Sequence, residues 1–184
     1  MLPVEEGREI FLKNNQVLVI MGSDSDWPIM QKALATLNEF AIGYEVHVAS
    51  AHRTTDRALA LARQAHYDGF DVIIAGAGAA AHLPGVLAAV TPLPVIGIPI
   101  NATALQGLDA LYAIVQMPSG IPVATVAIDG AKNAALLAIQ ILGVKDNALR
   151  QKLIEYKKQL AEEVAIKDEK IQESVREMQK PQNA

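Results

Sequence analysis

The chain has 184 residues, of which 51% are hydrophobic and 4% aromatic; it carries 16 basic and 20 acidic side chains and no cysteine. That length sets one domain with a full core as the starting expectation. A net charge of −4 argues against a phosphate-backbone binder, and so few aromatics argue against a base-stacking platform. The lack of cysteine removes disulfides, thiolate zinc sites and a cysteine nucleophile.

Residues 1–15, MLPVEEGREIFLKNN, are acidic and lack the apolar core of a signal peptide, so they are read as a poorly ordered N-terminal extension. VLVIM (17–21) predicts a buried strand and residues 27–40 a helix. YEVHVA (44–49) predicts the second strand, with a helix over 55–68. DVIIAG (71–76) and a helix over 82–90 follow, then PVIGIPI (94–100) and a helix over 107–116. VATVAI (123–128) and AKNAALLAIQIL (131–142) make the fifth strand and helix. Short Val- and Ile-rich runs, each followed by a segment of 3.6-residue period, are the pattern of βαβ units. Strands that are apolar throughout belong to a parallel sheet covered on both faces. The expected fold class is therefore α/β, doubly wound and flavodoxin-like, with about five parallel strands over residues 16–145.

The tail differs. From residue 146 to 184 the charge density rises, while Leu149, Leu153, Tyr156, Leu160 and Val164 recur at three- and four-residue spacing. This predicts one long amphipathic helix, extended by Ile171, Val175 and Met178, with a frayed KPQNA end. Its apolar stripe must be buried, on a neighbouring subunit in preference to its own domain, which favours a homo-oligomer. No uninterrupted apolar run reaches membrane-spanning length. No membrane or nucleic-acid partner is expected, and the expected location is the cytoplasm.

Ligands of open α/β sheets bind outside the carboxyl ends of the strands. Three such ends are rich in Gly, Ser and polar groups: MGSDSDW (21–27), SAHRT (50–54) and GAGAAAHLPG (76–85). In the first, Gly22 allows a tight turn, and Ser23 and Ser25 offer hydroxyls beside a helix start, a site for one phosphate. Asp26 cannot hold a phosphate and suits ribose hydroxyls. Helix capping by Ser25 or Asp26 is the competing reading. GAGAAA matches the dinucleotide fingerprint, but the next strand ends IPIN and supplies no carboxylate. Its small residues, Gly78 among them, instead let backbone approach a compact ligand. His47, within a strand, and His66, within a helix, are read as ordinary polar residues. His52 and His82 stand at strand ends, where an imidazole suits proton transfer near neutrality. Arg53 beside His52 can pair with an anion. No zincin spacing and no G-x-S-x-G elbow occur, so neither a metal nor a serine nucleophile is expected. The residues alone thus describe an enzyme for a small phosphorylated ligand, with His52 as acid and base.

Together, MGSDSDW, SAHRT, GAGAAAHLPG, QMPSGIPVATVAI (116–128) and NAALLAIQIL (133–142) resemble the class I 5-(carboxyamino)imidazole ribonucleotide mutase family, over roughly Val17 to Leu142. The resemblance implies a flavodoxin-like three-layer sandwich and an octamer whose C-terminal helices reach neighbouring subunits. It implies carboxylate transfer from the exocyclic nitrogen of an aminoimidazole ribonucleotide to a ring carbon, a step of purine biosynthesis, with no metal or cofactor. His52 is then the acid and base. Ser23, Asp26 and Arg53 bind the ribonucleotide, with Ser25 and Gly78 beside them. Ser50 positions the substrate near His52, and His82 orders the pocket. The family generally reads SAHRTP and GAGGAAHLPG; here Thr55 stands for Pro and Ala79 for Gly. If position 79 requires positive φ, Ala is strained there. The DGAK segment (129–132) is also shorter than in many members. Other readings are direct carboxylation of aminoimidazole ribonucleotide by carbon dioxide, a nucleotide-binding module without turnover, and an oligomeric scaffold.

Overall fold

The computed structural model describes residues 15–179. The N-terminal extension up to residue 14 and the KPQNA end lie outside the described residues. The chain divides into two compact units, one ending at Leu142 and the other beginning at Gly143.

The first unit alternates strand and helix as its apolar runs predict. Its strands are β1 (Asn15–Met21), β2 (Gly43–Val48), β3 (Val72–Gly78), β4 (Val95–Ile100) and β5 (Ala124–Thr125). Its helices are α1 (Trp27–Glu39), α2 (Thr55–Gln64), α3 (Leu83–Ala88), α4 (Leu108–Val115) and α5 (Ala131–Leu142). The strands form one parallel sheet in the order β2-β1-β3-β4-β5. That is the flavodoxin-like order, and it reverses direction between β1 and β3.

Alternation along the strands divides the core into two layers. Leu18, Ile20, Ile73, Ala75 and Ala77 join a buried cluster with Ala58 and Ala62 of α2, Leu87 of α3 and Ile114 of α4. Val17, Val19, Ile74, Ile96 and Ile98 are also fully buried, and they point to the other face. There α1 and α5 pack on each other through fully buried side chains such as Met30, Leu37, Ala134 and Ile139. Alanine is abundant because it brings helix backbone close to the sheet without leaving voids.

Two predicted boundaries are corrected. The helix after β2 stops at Gln64, not residue 68. The chain turns there through Gly69 at φ +89, with Phe70 N–H donating to Ala65 O at 3.1 Å. The fifth strand is two residues long, not six. It lies at the sheet edge, and beyond it only isolated bonds reach β4: Val126 N–H to Gly97 O and Asp129 N–H to Pro99 O.

The second unit carries helix α6 (Asn147–Met178), capped by Asp146, whose side chain accepts from Leu149 N–H. Arg150 Nε donates to Gly143 O at 3.2 Å and ties the helix start to the preceding turn. Leu149 and Leu153 are buried, whereas Leu160, Val164, Ile171 and Val175 are exposed. Among the described residues, no helix is long and apolar enough to cross a membrane.

Candidate active site

The carboxyl ends of β1, β2 and β3 meet beside the point where the strand order reverses. Gly22 N–H donates to Gly76 O at 3.2 Å, and Ala49 N–H to Met21 O at 2.9 Å, so the three loops leave the sheet side by side. They enclose a cavity of about 360 Å³, within the range of small-molecule sites. The first loop contributes Gly22, Ser23, Ser25 and Asp26; the second contributes Ser50, Ala51, His52 and Arg53. The third contributes Gly78, Ala79 and Ala80, and Leu83 and Ala102 close the wall.

In the first loop the cap is Ser23, rather than Ser25 or Asp26. Ser23 Oγ accepts from Ser25 N–H, and Asp26 Oδ2 accepts from Ser23 N–H at 3.0 Å, a reciprocal capping box on a single 3-10 turn. Ser25 Oγ lies 2.9 Å from Ser23 Oγ, so the two hydroxyls form one polar cluster at the cavity edge. Gly22 is not in the left-handed region, and a Cβ there would meet only Asp26 Oδ2 at 3.8 Å. Asp26 is 5% exposed. Burial holds its carboxyl above the ordinary value of 3.8. Hydrogen bonds from the Ser23 and Gly22 backbone and the charge of Arg53 oppose that rise, and Asp24 adds to it.

The second loop presents His52 and Arg53. Ser50 Oγ accepts from His52 N–H at 3.3 Å and from Arg53 N–H at 3.2 Å. Ser50 Oγ thus accepts from two successive main-chain N–H groups, which keeps its O–H hydrogen as a further donor. Arg53 Nη2 donates to Gly22 O at 3.3 Å, which carries the guanidinium across to the first loop. An adjoining recess of about 350 Å³ shares Gly22, Ser23, Ser50 and Arg53 with the main cavity.

The third loop carries His82. His82 Nδ1 lies 2.9 Å from His52 Nε2, with the rings edge to face at 74°. One nitrogen of this pair must hold the hydrogen and the other the lone pair. Gly78 lies where a Cβ would approach Ala102 Cβ to 2.5 Å and Ile100 O to 3.1 Å. The small residue is therefore needed for close passage of β4. Ala79 has φ +51, so the sterically demanding position suspected from the sequence is indeed left-handed.

All eight sequence-predicted site residues gather here. Ser23, Ser25, Asp26, Ser50, His52, Arg53 and Gly78 line the cavity, and His82 joins through its bond to His52. The two other histidines are engaged elsewhere: His47 Nε2 pairs with Glu45 at 2.6 Å, and the His66 ring packs against Tyr67 at a tilt of 54°. The sequence reading missed Leu83 and Ala102, apolar residues of ordinary spacing that carry no chemical signature.

The chain as a whole resembles known proteins. An N5-carboxyaminoimidazole ribonucleotide mutase of Pyrococcus horikoshii is 55% identical over 89% of this chain and 94% of its own length. The protein of the same name from Mycobacterium tuberculosis is 56% identical over 85% of this chain and 90% of its own. The crystal structure of Treponema denticola PurE superimposes with a TM-score of 0.75 at 30% identity, over 84% of this chain and 96% of that one. The model of the family described as AIR carboxylase matches residues 16–163, both the sheet and all three loops of the cavity, and the chain belongs to that family.

Proposed function

We propose that this chain is an N5-carboxyaminoimidazole ribonucleotide mutase, converting its substrate to 4-carboxy-5-aminoimidazole ribonucleotide in purine biosynthesis. The observation that carries the reading is the His52–His82 pair, set beside a cavity whose other polar groups suit a ribonucleotide. Relatives at 52–56% identity bear the mutase name, which supports the mutase over direct carboxylation by free carbon dioxide.

The chemistry follows from the groups available. His52 in its protonated form donates to the exocyclic nitrogen of the carbamate. The nitrogen–carboxyl bond breaks, releasing carbon dioxide and the neutral aminoimidazole, an enamine-like nucleophile. The ring carbon attacks the carbon dioxide, and a carbon–carbon bond forms. Neutral His52 then removes the proton from that ring carbon, which restores aromaticity and the starting state of the histidine. Atoms and charge balance without an external reactant. Positioned proton transfer contributes about 10²–10⁴-fold, and carbon dioxide held against the ring carbon gains from proximity. His82 orients the His52 ring. Arg53 and the Ser23–Ser25 hydroxyls receive the phosphate. Asp26 receives the ribose hydroxyls, and the O–H of Ser50 helps hold the base.

An octamer belongs to the same proposal. It is supported by the resemblance and by exposed apolar faces on α4 and α6. Division into a 16–145 catalytic domain and a helix seated on a neighbouring subunit also remains a proposal. A cytoplasmic location follows from the substrate, a phosphorylated anion that does not cross a membrane unaided.

The test is turnover of purified protein with N5-carboxyaminoimidazole ribonucleotide. Conversion to the ring-carboxylated isomer is expected, and loss of at least about 10²-fold in His52→Ala with folding intact. Turnover only of aminoimidazole ribonucleotide with bicarbonate would make the protein a direct carboxylase. Inactivity with both, together with nucleotide binding, would make it a binding module.

A further inference from the structure

Thr54 is the N-cap residue of α2, yet its side chain caps nothing. A threonine there ordinarily accepts a bond from an N–H of the first helical turn. Here Thr54 Oγ1 turns the opposite way. It accepts from Ser50 N–H at 2.8 Å and faces Ser50 O at 3.3 Å as donor. Thr54 N–H also donates to Ser50 O, at 3.0 Å. One residue on, Thr55 Oγ1 donates to Ala51 O at 2.8 Å. Ser50 Oγ in turn accepts from His52 and Arg53 N–H. Three hydroxyls therefore bind main-chain groups of Ser50, Ala51, His52 and Arg53 within one turn.

We infer that Thr54 and Thr55 are positioning residues for the reaction, their hydroxyls locking the Ser50–Arg53 turn that presents His52 and Arg53 together. The helix gives up a capping bond at Thr54, and the catalytic turn gains two bonds from Thr54 Oγ1 and one from Thr55 Oγ1. Thr55 occupies the position where the resembling family generally has proline. A proline at the first helical position would stiffen the turn through its fixed φ; this chain stiffens it with a hydroxyl. The geometry matters because His52 must reach a nitrogen and then a carbon of one bound ring, while Arg53 holds the anion. A displacement of about 1 Å can cost on the order of 10²-fold in rate.

This inference rests on the mutase reading, and two readouts separate their failures. The double variant Thr54→Val with Thr55→Val keeps the shape and removes both hydroxyls; the double variant Thr54→Ser with Thr55→Ser keeps them. The serine pair is expected to retain kcat and KM within about twofold. The valine pair is expected to lose about 10–100-fold in kcat/KM, divided between a lower kcat and a higher KM, with circular dichroism unchanged. Thr55→Val alone, should the double variant not fold, is expected to lose about 3–10-fold. Wild-type kinetics in the valine variants would overturn the inference, as would an equal loss in the serine pair. If the wild-type protein is inert, the mutase reading falls. NMR of the His52 ring then decides: a resonance displaced by valine but not by serine upholds the positioning role, and one unmoved by either overturns it.

Discussion

His52 Nε2 and His82 Nδ1 meet at 2.9 Å, although 30 residues separate them in the chain. A single hydrogen serves both nitrogens. If His52 is the imidazolium, it can donate to a neutral His82; if both rings were protonated, two donors would face each other and the bond would be lost. His82 therefore couples its own tautomer to that of its partner and holds the partner's ring plane, without needing to touch the reacting atoms.

Replacing His82 by Ala accordingly leaves the proton donor in place but unoriented. The expected result is a kcat lower by about 10-fold with KM little changed, clearly milder than His52→Ala. Steady-state kinetics of the two variants side by side check this. Equal losses would make His82 a proton-transfer group in its own right.

Asp26 stands in a tension between folding and binding. Its folded-state pKa lies above the ordinary value, so the folded protein holds the proton more tightly than the unfolded chain. Its contribution to stability is then greatest in acid and is lost as pH rises through the raised value. Asp26→Asn keeps an acceptor for Ser23 N–H and removes the buried charge. It should melt no lower than wild type at pH 7, with any advantage shrinking as pH falls toward 3.8. The same variant should raise KM by about 10-fold or more, since a hydrogen bond to a charged group is lost. An unchanged KM would remove Asp26 from the binding set.

Ala79 occupies left-handed backbone, at φ +51. Glycine tolerates this conformation without a Cβ clash, although it gives back some unfolded-state entropy. Ala79→Gly should therefore stabilise by about 0.5–1 kcal/mol, a rise of roughly 1–4 °C in Tm. Ala79→Val, β-branched, should destabilise. Thermal unfolding of both measures it, and a lower Tm for the glycine variant would contradict the strain.

Tyr112 and Leu108 are 61% and 48% exposed on the outward side of α4, opposite the buried Ala110 and Ile114. If that face is covered by another copy of the chain, charge placed there should break the assembly. Light scattering should give a multiple of the chain mass for wild type and a smaller species for Tyr112→Glu. A monomeric wild type would sink the proposed octamer.

Much of this protein was legible in one dimension. Runs such as VLVIM and PVIGIPI determined the parallel sheet, because strands covered on both faces must be apolar throughout. The strand-to-loop boundaries then pointed to His52, Arg53 and Asp26, because open α/β sheets place ligands at those ends. Other features were settled only by the tertiary structure. Ser23, expected to be a phosphate ligand, is also the cap of its turn. Left-handed backbone falls on Ala79 and not on Gly22. The Thr54 hydroxyl turns away from the helix it precedes, and His82 reaches His52. Hydrophobic period reports which face of an element is buried, a property of neighbours a few residues apart. Hydroxyl direction and cross-loop distance depend on how β1, β2 and β3 are registered and twisted against one another, and that is decided only when the sheet closes.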